Sequence, residues 1–222
     1  MTIADNLAQV RERIAAACRR TGRSPDEVTL VGVSKGQPAG AVAEAFDAGL
    51  RDVGENRVQE AVGKIEALAS MGRRPRWHLV GHLQTNKAKT AVGLFAIIHS
   101  VDSIRLAQSL SRRAQESVPI LLEVNVAQEA SKFGFAPDEA AGALDAIRPL
   151  PNLDVRGLMT VPPLAGDPQE VRPVFRRLRD LCDSLGLREL SMGMTDDFEV
   201  AIEEGATIIR VGRAIFGPRP EA

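Results

Sequence analysis

Three kinds of residue in this chain stand where they could do chemistry: one lysine, one buried arginine and two glycine-containing turns. Lys35 follows the apolar run 28–34 and precedes Gly36, Gln37 and Pro38. An amine at the end of a buried strand is held on a rigid element and desolvated on one side. That favours its neutral form, which can make a Schiff base with an aldehyde. The same run also fits a solvated strand-end lysine. Arg210 lies among apolar neighbours in the run 208–212. A guanidinium cannot shed its charge on an inner strand face, so it needs an ion-pair partner or a ligand acceptor. Ser191, Met192, Gly193, Met194 and Thr195 place hydroxyls and a bare backbone position before a helix, and Val211, Gly212, Arg213 and Ala214 repeat the glycine one strand later. Backbone amides at such turns can hold a phosphate, although plain loop packing accounts for them equally. Asp196 and Asp197 would repel that phosphate, so both are expected to point outward, with Asp196 capping toward Glu199. His78, His82 and His99 find no carboxylate or cysteine set that completes a metal site, and no nucleophile elbow supports a hydrolase triad.

The elements that must position these residues alternate regularly. Short apolar runs at 28–34, 52–54, 77–81, 97–101, 120–125, 155–160, 190–194 and 208–212 read as strands. Helical patterns at 39–48, 57–69, 85–92, 103–117, 137–147, 168–185 and 195–204 lie between them. Continuous apolar strands of this kind are buried on both faces of a parallel sheet. Such an alternation closes naturally into a single (β/α)8 TIM barrel, expected here as one domain over residues 1–222, with an extra N-terminal helix over residues 1–24. Leu7, Val10, Ile14 and Cys18 form the apolar stripe of that helix. In a closed barrel every strand's C-terminal end opens on one face. There the residues turn polar or glycine: Ser34 and Lys35, Glu55 and Asn56, Gly81 and His82, Asn125, Thr160, and the turns at 193 and 212. A doubly wound open sheet lacks support because no strand is followed by the dinucleotide glycine fingerprint.

Composition narrows the classes. With 7 Phe, 1 Trp and no Tyr the core must be aliphatic, and a net charge of −1 argues against a nucleic-acid partner. The cluster Arg176, Arg177 and Arg179 has helical spacing and reads as a solvated face. Cys18 and Cys182 read as buried apolar residues rather than a bridge. No apolar stretch approaches the ~18 residues of a membrane span, so a cytoplasmic, monomeric protein is the expectation.

Val33-Ser34-Lys35, Gly54-Glu55-Asn56, the run 77–87, Ser131-Lys132-Phe133-Gly134, Gly157-Leu158-Met159-Thr160, the run 191–195 with Asp197, and Arg210-Val211-Gly212 occur in this order. On these blocks the chain resembles the YggS/PROSC family of pyridoxal phosphate homeostasis proteins over nearly its whole length. The resemblance implies an alanine-racemase-like barrel, PLP fold type III. In it Lys35 holds pyridoxal 5′-phosphate (PLP) as a Schiff base and Arg210 faces the pyridine nitrogen. Ser191, Met192, Gly193, Gly212 and the Arg213 amide cradle the phosphate, while Asn56, His78 and Met159 line the ring. Lys132 is expected in a loop that handles incoming or leaving PLP. Arg213 replaces a usual threonine, Arg57 a frequent tyrosine and Gly36 a side chain.

The residues fit those roles. A guanidinium only donates, so the ring nitrogen beside Arg210 stays unprotonated, and the ring is a weaker electron sink. A carrier or regulator of PLP without committed turnover, serving PLP-accepting apo-enzymes, is therefore the preferred expectation. A PLP-dependent racemase or decarboxylase is the alternative, but a racemase of this barrel type uses a tyrosine and the chain contains none. A cofactor-free Schiff-base aldolase using Lys35 is a further alternative.

Overall fold

The structure, a computed structural model, describes residues 1–218; the last four residues of the expected domain lie outside them. Among the described residues eight strands close into a barrel in chain order. They are β1 Thr29–Val33, β2 Asp52–Glu55, β3 Arg76–Leu79, β4 Ile97–Val101, β5 Val118–Glu123, β6 Leu153–Met159, β7 Glu189–Ser191 and β8 Ile208–Val211. Every neighbouring pair is parallel, and β1 closes on β8 with Val31 opposite Arg210. Helix α1, Ile3–Arg20, precedes the barrel. Its crossover helices are α2 Ala39–Asp47, α3 Val58–Ser70, α4 Ala88–Val92, α5 Ile104–Ser111, α6 Ala140–Ile147, α7 Arg172–Ser184 and α8 Phe198–Glu203, and a short α9, Arg213–Phe216, follows β8. This is the (β/α)8 architecture that the alternation predicts.

Strand parity divides the side chains. Val53, Leu79, Ile98, Leu122, Leu158, Leu190 and Ile209 face outward into the layer shared with Val42, Leu68, Leu106 and Phe175 of the helices. Inside, Val31, Leu121, Met159 and Ile208 pack together with the partly buried Ile97 and Val161, beside the buried polar side chains of Asp52, His78, His99, Ser191 and Arg210. Burying each large aliphatic side chain contributes about 1.5–3 kcal/mol. Both cysteines are buried and unbridged.

Helix α1 starts on a capping box, in which the Thr2 hydroxyl accepts from Asp5 N and the Asp5 carboxylate accepts from Thr2 N. It packs Leu7, Val10, Ile14 and Cys18 inward, running beside α2, α8 and α9. The helix ends at Arg20, short of residue 24, because Gly22 takes a left-handed φ of 68° and a 3-10 turn, Pro25–Glu27, leads into β1. Helix α6 starts at Ala140 rather than 137, since residues 137–139 form a turn in which Glu139 Oε2 accepts from Ala136 N at 2.9 Å. The arginine cluster is not a plain solvated face: Arg176 and Arg179 converge with Arg172 on the buried carboxylate of Glu204. No helix among the described residues is long and apolar enough to cross a membrane.

Candidate functional site

Lys35 sits at the C-terminal mouth of the barrel, not on a strand. Although the apolar run predicts a strand through Ser34, β1 ends at Val33, and Lys35 lies in a turn closed by Gln37 N donating to Ser34 O at 2.9 Å. Gly36 completes that turn at φ 71°, a region where a side chain would be strained. A buried polar cluster fastens the turn from below. Lys64 Nζ, on α3, donates to Ser34 O at 2.6 Å, Glu55 Oε1 at 2.5 Å and Glu60 Oε1 at 2.8 Å. Those acceptors use all the N–H groups of an ammonium. The Ser34 hydroxyl donates to Glu55 Oε1 at 2.6 Å, and Gly36 N donates to Glu60 Oε1 at 2.6 Å. Burial pushes the Glu55 carboxyl up, against the pull of Lys64 and Ser34. Burial acts the same way on Glu60, but hydrogen bonds from Lys64 and the Gly36 amide hold it below its usual value.

Next to this turn the barrel wall is bare. Gly212 follows β8, and a Cβ there would come within 3.1 Å of Val33 O, so this glycine shares the rim with Lys35. Gly193 has φ 90°, and a Cβ on it would stand 2.5 Å from Ala201 Cβ; no other L-residue fits without a shift. Helix α9 opens immediately after Gly212, and the first amides of a helix have no intrahelical acceptors.

Arg210 lies below these glycines, 4% exposed. Its Nη1 donates to Ser191 Oγ at 2.6 Å and its Nη2 to Thr160 O at 2.8 Å. Burial pushes its guanidinium down to about 10, with Glu123 and Asp197 pulling the other way; it remains charged at neutral pH. Glu123 ends β5 on the same mouth, 9% exposed, with Oε2 lacking a hydrogen-bond partner among the described residues. Burial, with the charge of Asp102 adding to it and Arg210 opposing, pushes its carboxyl up to about 7.

Some expected ring and phosphate contacts are placed elsewhere. His78 does not reach the mouth: its Nε2 meets Asp52 Oδ1 at 2.9 Å, at the first residue of β2, and its Nδ1 meets His99 Nε2 at 2.9 Å. The Ser191 hydroxyl faces the barrel interior, between Arg210 and His99. Met192, one residue on, faces the helix layer, and its amide is spent on Ile208 O at 3.1 Å. Strand alternation is the reason; Gly193 follows, buried as well, and its carbonyl accepts from Arg210 N at 3.0 Å. Arg213 is exposed and pairs with Asp196 at 2.5 Å. Asp197 does not point outward: it is buried and accepts from Met194 N at 2.5 Å, shaping the turn, so α8 starts only at Phe198. Met159 lies under the mouth beside Val31 and Leu121. Asn56, half-buried, follows β2 at the same rim as Lys35. Lys132 Nζ reaches across to Val161 O at 3.2 Å and Pro162 O at 2.7 Å, tying the loop after β5 to the loop after β6.

Motif spacing does not single out Glu55, Lys64, Glu60, Glu123, Asp52 or His99 for these roles. The readable signal is a polar side chain in an otherwise apolar strand and, for Lys64, its position four residues after Glu60 on one face of a helix.

Comparison with known proteins agrees with this fold. A family model described as alanine racemase, N-terminal domain, matches residues 5–220. A relative from Pseudomonas aeruginosa, named pyridoxal phosphate homeostasis protein, is 46% identical over 98% of this chain and 96% of its own length. This chain belongs to that family. PipY of Synechococcus elongatus, a structure with PLP bound, is similar at a TM-score of 0.85 and 38% identity, over 97% of this chain and 100% of PipY. The alanine racemase of Corynebacterium glutamicum shares the fold alone, at 18% identity and a TM-score of 0.70, over 99% of this chain and 63% of the racemase.

Proposed function

We propose that this member of the family binds PLP in the barrel mouth and holds it covalently through Lys35 Nζ, as a store or carrier without committed turnover. What carries the reading is a juxtaposition. The lysine turn, the bare rim at Gly193 and Gly212, and a buried guanidinium beneath them lie at one end of one barrel. Each suits one part of PLP: an amine for the aldehyde, glycine turns with helix amides for the phosphate, and a pure donor for the ring nitrogen. When bound, PLP supplies an electrophilic carbon for amines and a ring that withdraws electrons. Arg210 would keep that ring nitrogen unprotonated, which weakens electron withdrawal and favours holding over turnover. Asn56 and Met159 would border the ring, and the Arg213 amide would join the phosphate cradle. As part of the same proposal, the chain acts as a cytoplasmic monomer that passes PLP to apo-enzymes.

The test is a spectrum recorded after incubation with PLP and dialysis. An absorbance band near the visible edge should survive dialysis. Borohydride should abolish it and leave a mass label on Lys35. A Lys35→Ala variant that keeps the full band would overturn the covalent role, and rapid racemisation of alanine by the purified protein would overturn the carrier reading.

A further inference from the structure

A hydrogen-bonded file runs through the barrel interior from Arg210 to the opposite end. Arg210 Nη1 meets Ser191 Oγ at 2.6 Å, and Ser191 Oγ meets His99 Nδ1 at 2.8 Å. His99 Nε2 then meets His78 Nδ1 at 2.9 Å, and His78 Nε2 meets Asp52 Oδ1 at 2.9 Å. The other Asp52 oxygen accepts from Arg76 at 2.8 Å. Ser191 and His99 are fully buried, and His78 and Asp52 nearly so, at 2% and 6% exposure.

Chemistry at the two ends imposes one direction on the file. Arginine only donates, so Ser191 Oγ accepts from it and its own proton is directed to His99 Nδ1. A neutral His99 then carries its proton on Nε2 and donates to His78 Nδ1. His78, in turn, carries its proton on Nε2 and donates to Asp52. From the far end, the Asp52 carboxylate accepts from His78 Nε2–H, which leaves His78 Nδ1 as an acceptor and leads to the same assignment. Burial opposes ionisation of Asp52, yet hydrogen bonds from His78 and Arg76 hold its carboxyl below the usual value. His99 is held well below its ordinary value by burial, with His78 and Arg210 adding to the effect. Thus each donor meets one acceptor with both imidazoles neutral.

Asp52 and His78 also line a cavity of about 420 Å³. Its wall is built from strand beginnings, among them Thr29, Arg76, Ile97 and Glu189, so it opens at the end of the barrel away from Lys35. The charged groups facing the file are Asp52 and Arg76 at its foot, Glu27, Arg156 and Glu189 around the cavity, and Arg210 with Glu123 and Asp197 at its head.

We propose that Ser191, His99, His78 and Asp52 are positioning residues for Arg210, a tautomer-locked file that fixes the guanidinium as donor toward the mouth and exposes its setting to the cavity at the other end. An extra proton at His78 would turn its Nδ1 into a donor facing the donor on His99. The file could absorb that only by moving the His99 proton from Nε2 to Nδ1 and displacing the Ser191 proton from its acceptor. The ionic state of the N-terminal cavity is thereby coupled to the residue beneath the ring. This inference rests on the proposed PLP site with Arg210 at the ring nitrogen.

The first experiment needs no PLP. Nitrogen-15 NMR of the full chain, whose sequence holds 3 His, should show His99 neutral between pH 6 and 8 with its proton on Nε2, and neutral His78 likewise protonated on Nε2. A charged His99, or either ring protonated on Nδ1 alone, would overturn the lock. The second experiment is Asp52→Asn titrated with PLP. Because network partners couple by at least ~0.5 kcal/mol, PLP affinity should fall by at least about twofold. The absorbance-against-pH profile of the bound PLP should also shift, with Asp52→Glu restoring both. Unchanged affinity and profile would overturn the coupling. Failure of the wild-type protein to take up PLP would overturn the proposed site instead, and the NMR result would still decide the lock.

Discussion

Replacing Lys64 by methionine tests whether the lysine turn is held from below. In the wild-type protein the Lys64 ammonium compensates Glu55, which is 0% exposed and already has one oxygen without a partner. Removing one member of a buried ion pair costs about 3–5 kcal/mol. An independent route gives a similar figure. The variant can relieve the stranded charge by protonating Glu55. Taking an unfolded-state pKa of ~4.3, that neutralisation costs about 4 kcal/mol at pH 7 and about 1 kcal/mol at pH 5.

The sign follows from linkage. In the variant the folded-state pKa of Glu55 lies far above the unfolded value. Its favourable contribution is full below the unfolded pKa and is lost as pH rises toward the folded one. The penalty of Lys64→Met should therefore grow between pH 5 and pH 7. At pH 7 a loss of about 3–4 kcal/mol corresponds to a melting temperature lower by roughly 10 °C for a chain of this size. Urea unfolding followed by Trp77 fluorescence reads this directly, since Trp77 is the single tryptophan and is 6% exposed. The double variant Lys64→Met with Glu55→Gln should recover most of the loss. A penalty below about 1 kcal/mol, or one that is flat in pH, would refute the reasoning. So would a double variant no better than the single one.

Two further outcomes follow from the mouth. Glu123, at about 7, lies above its unfolded value, so its contribution is full below pH ~4.3 and lost as pH rises through 7; Glu123→Gln should gain about 2.5 kcal/mol more over wild type at pH 8 than at pH 5. Parallel stability profiles for the two proteins in urea would refute that. Gly193→Ala forces a side chain onto φ 90° and against Ala201 Cβ, and should lower stability by about 2–3 kcal/mol in the same urea assay; an unchanged midpoint would mean the turn is free to open.

The barrel is legible in the sequence because burial on both faces leaves a coarse mark: short apolar runs such as 28–34 and 120–125, each followed by a helical period. The mouth is legible for a related reason. Apolar demand stops where a strand leaves the sheet, so the switch to Ser34, Asn56, Thr160 and Gly212 marks the rim. What such runs cannot show is which polar side chains meet across the interior. The contacts of His78 with Asp52 and with His99 span 26 and 21 residues and link neighbouring strands. His99 to Ser191 spans 92 residues and joins β4 to β7, whose sheet neighbours are β3 and β5 for the one, β6 and β8 for the other. Only closure brings those strands face to face, and only parity decides that Ser191 looks inward while Met192 looks out. A one-residue difference in register therefore separates a side chain facing the helix layer from a link in the interior file. The turn chemistry at 191–195 is compatible with either, and the Arg210 and His99 contacts decide between them. The same logic governs Lys35. The run 28–34 reads it as a strand-end residue, whereas it lies in a turn held by Lys64, on a helix packed outside the strand, which no strand pattern reaches.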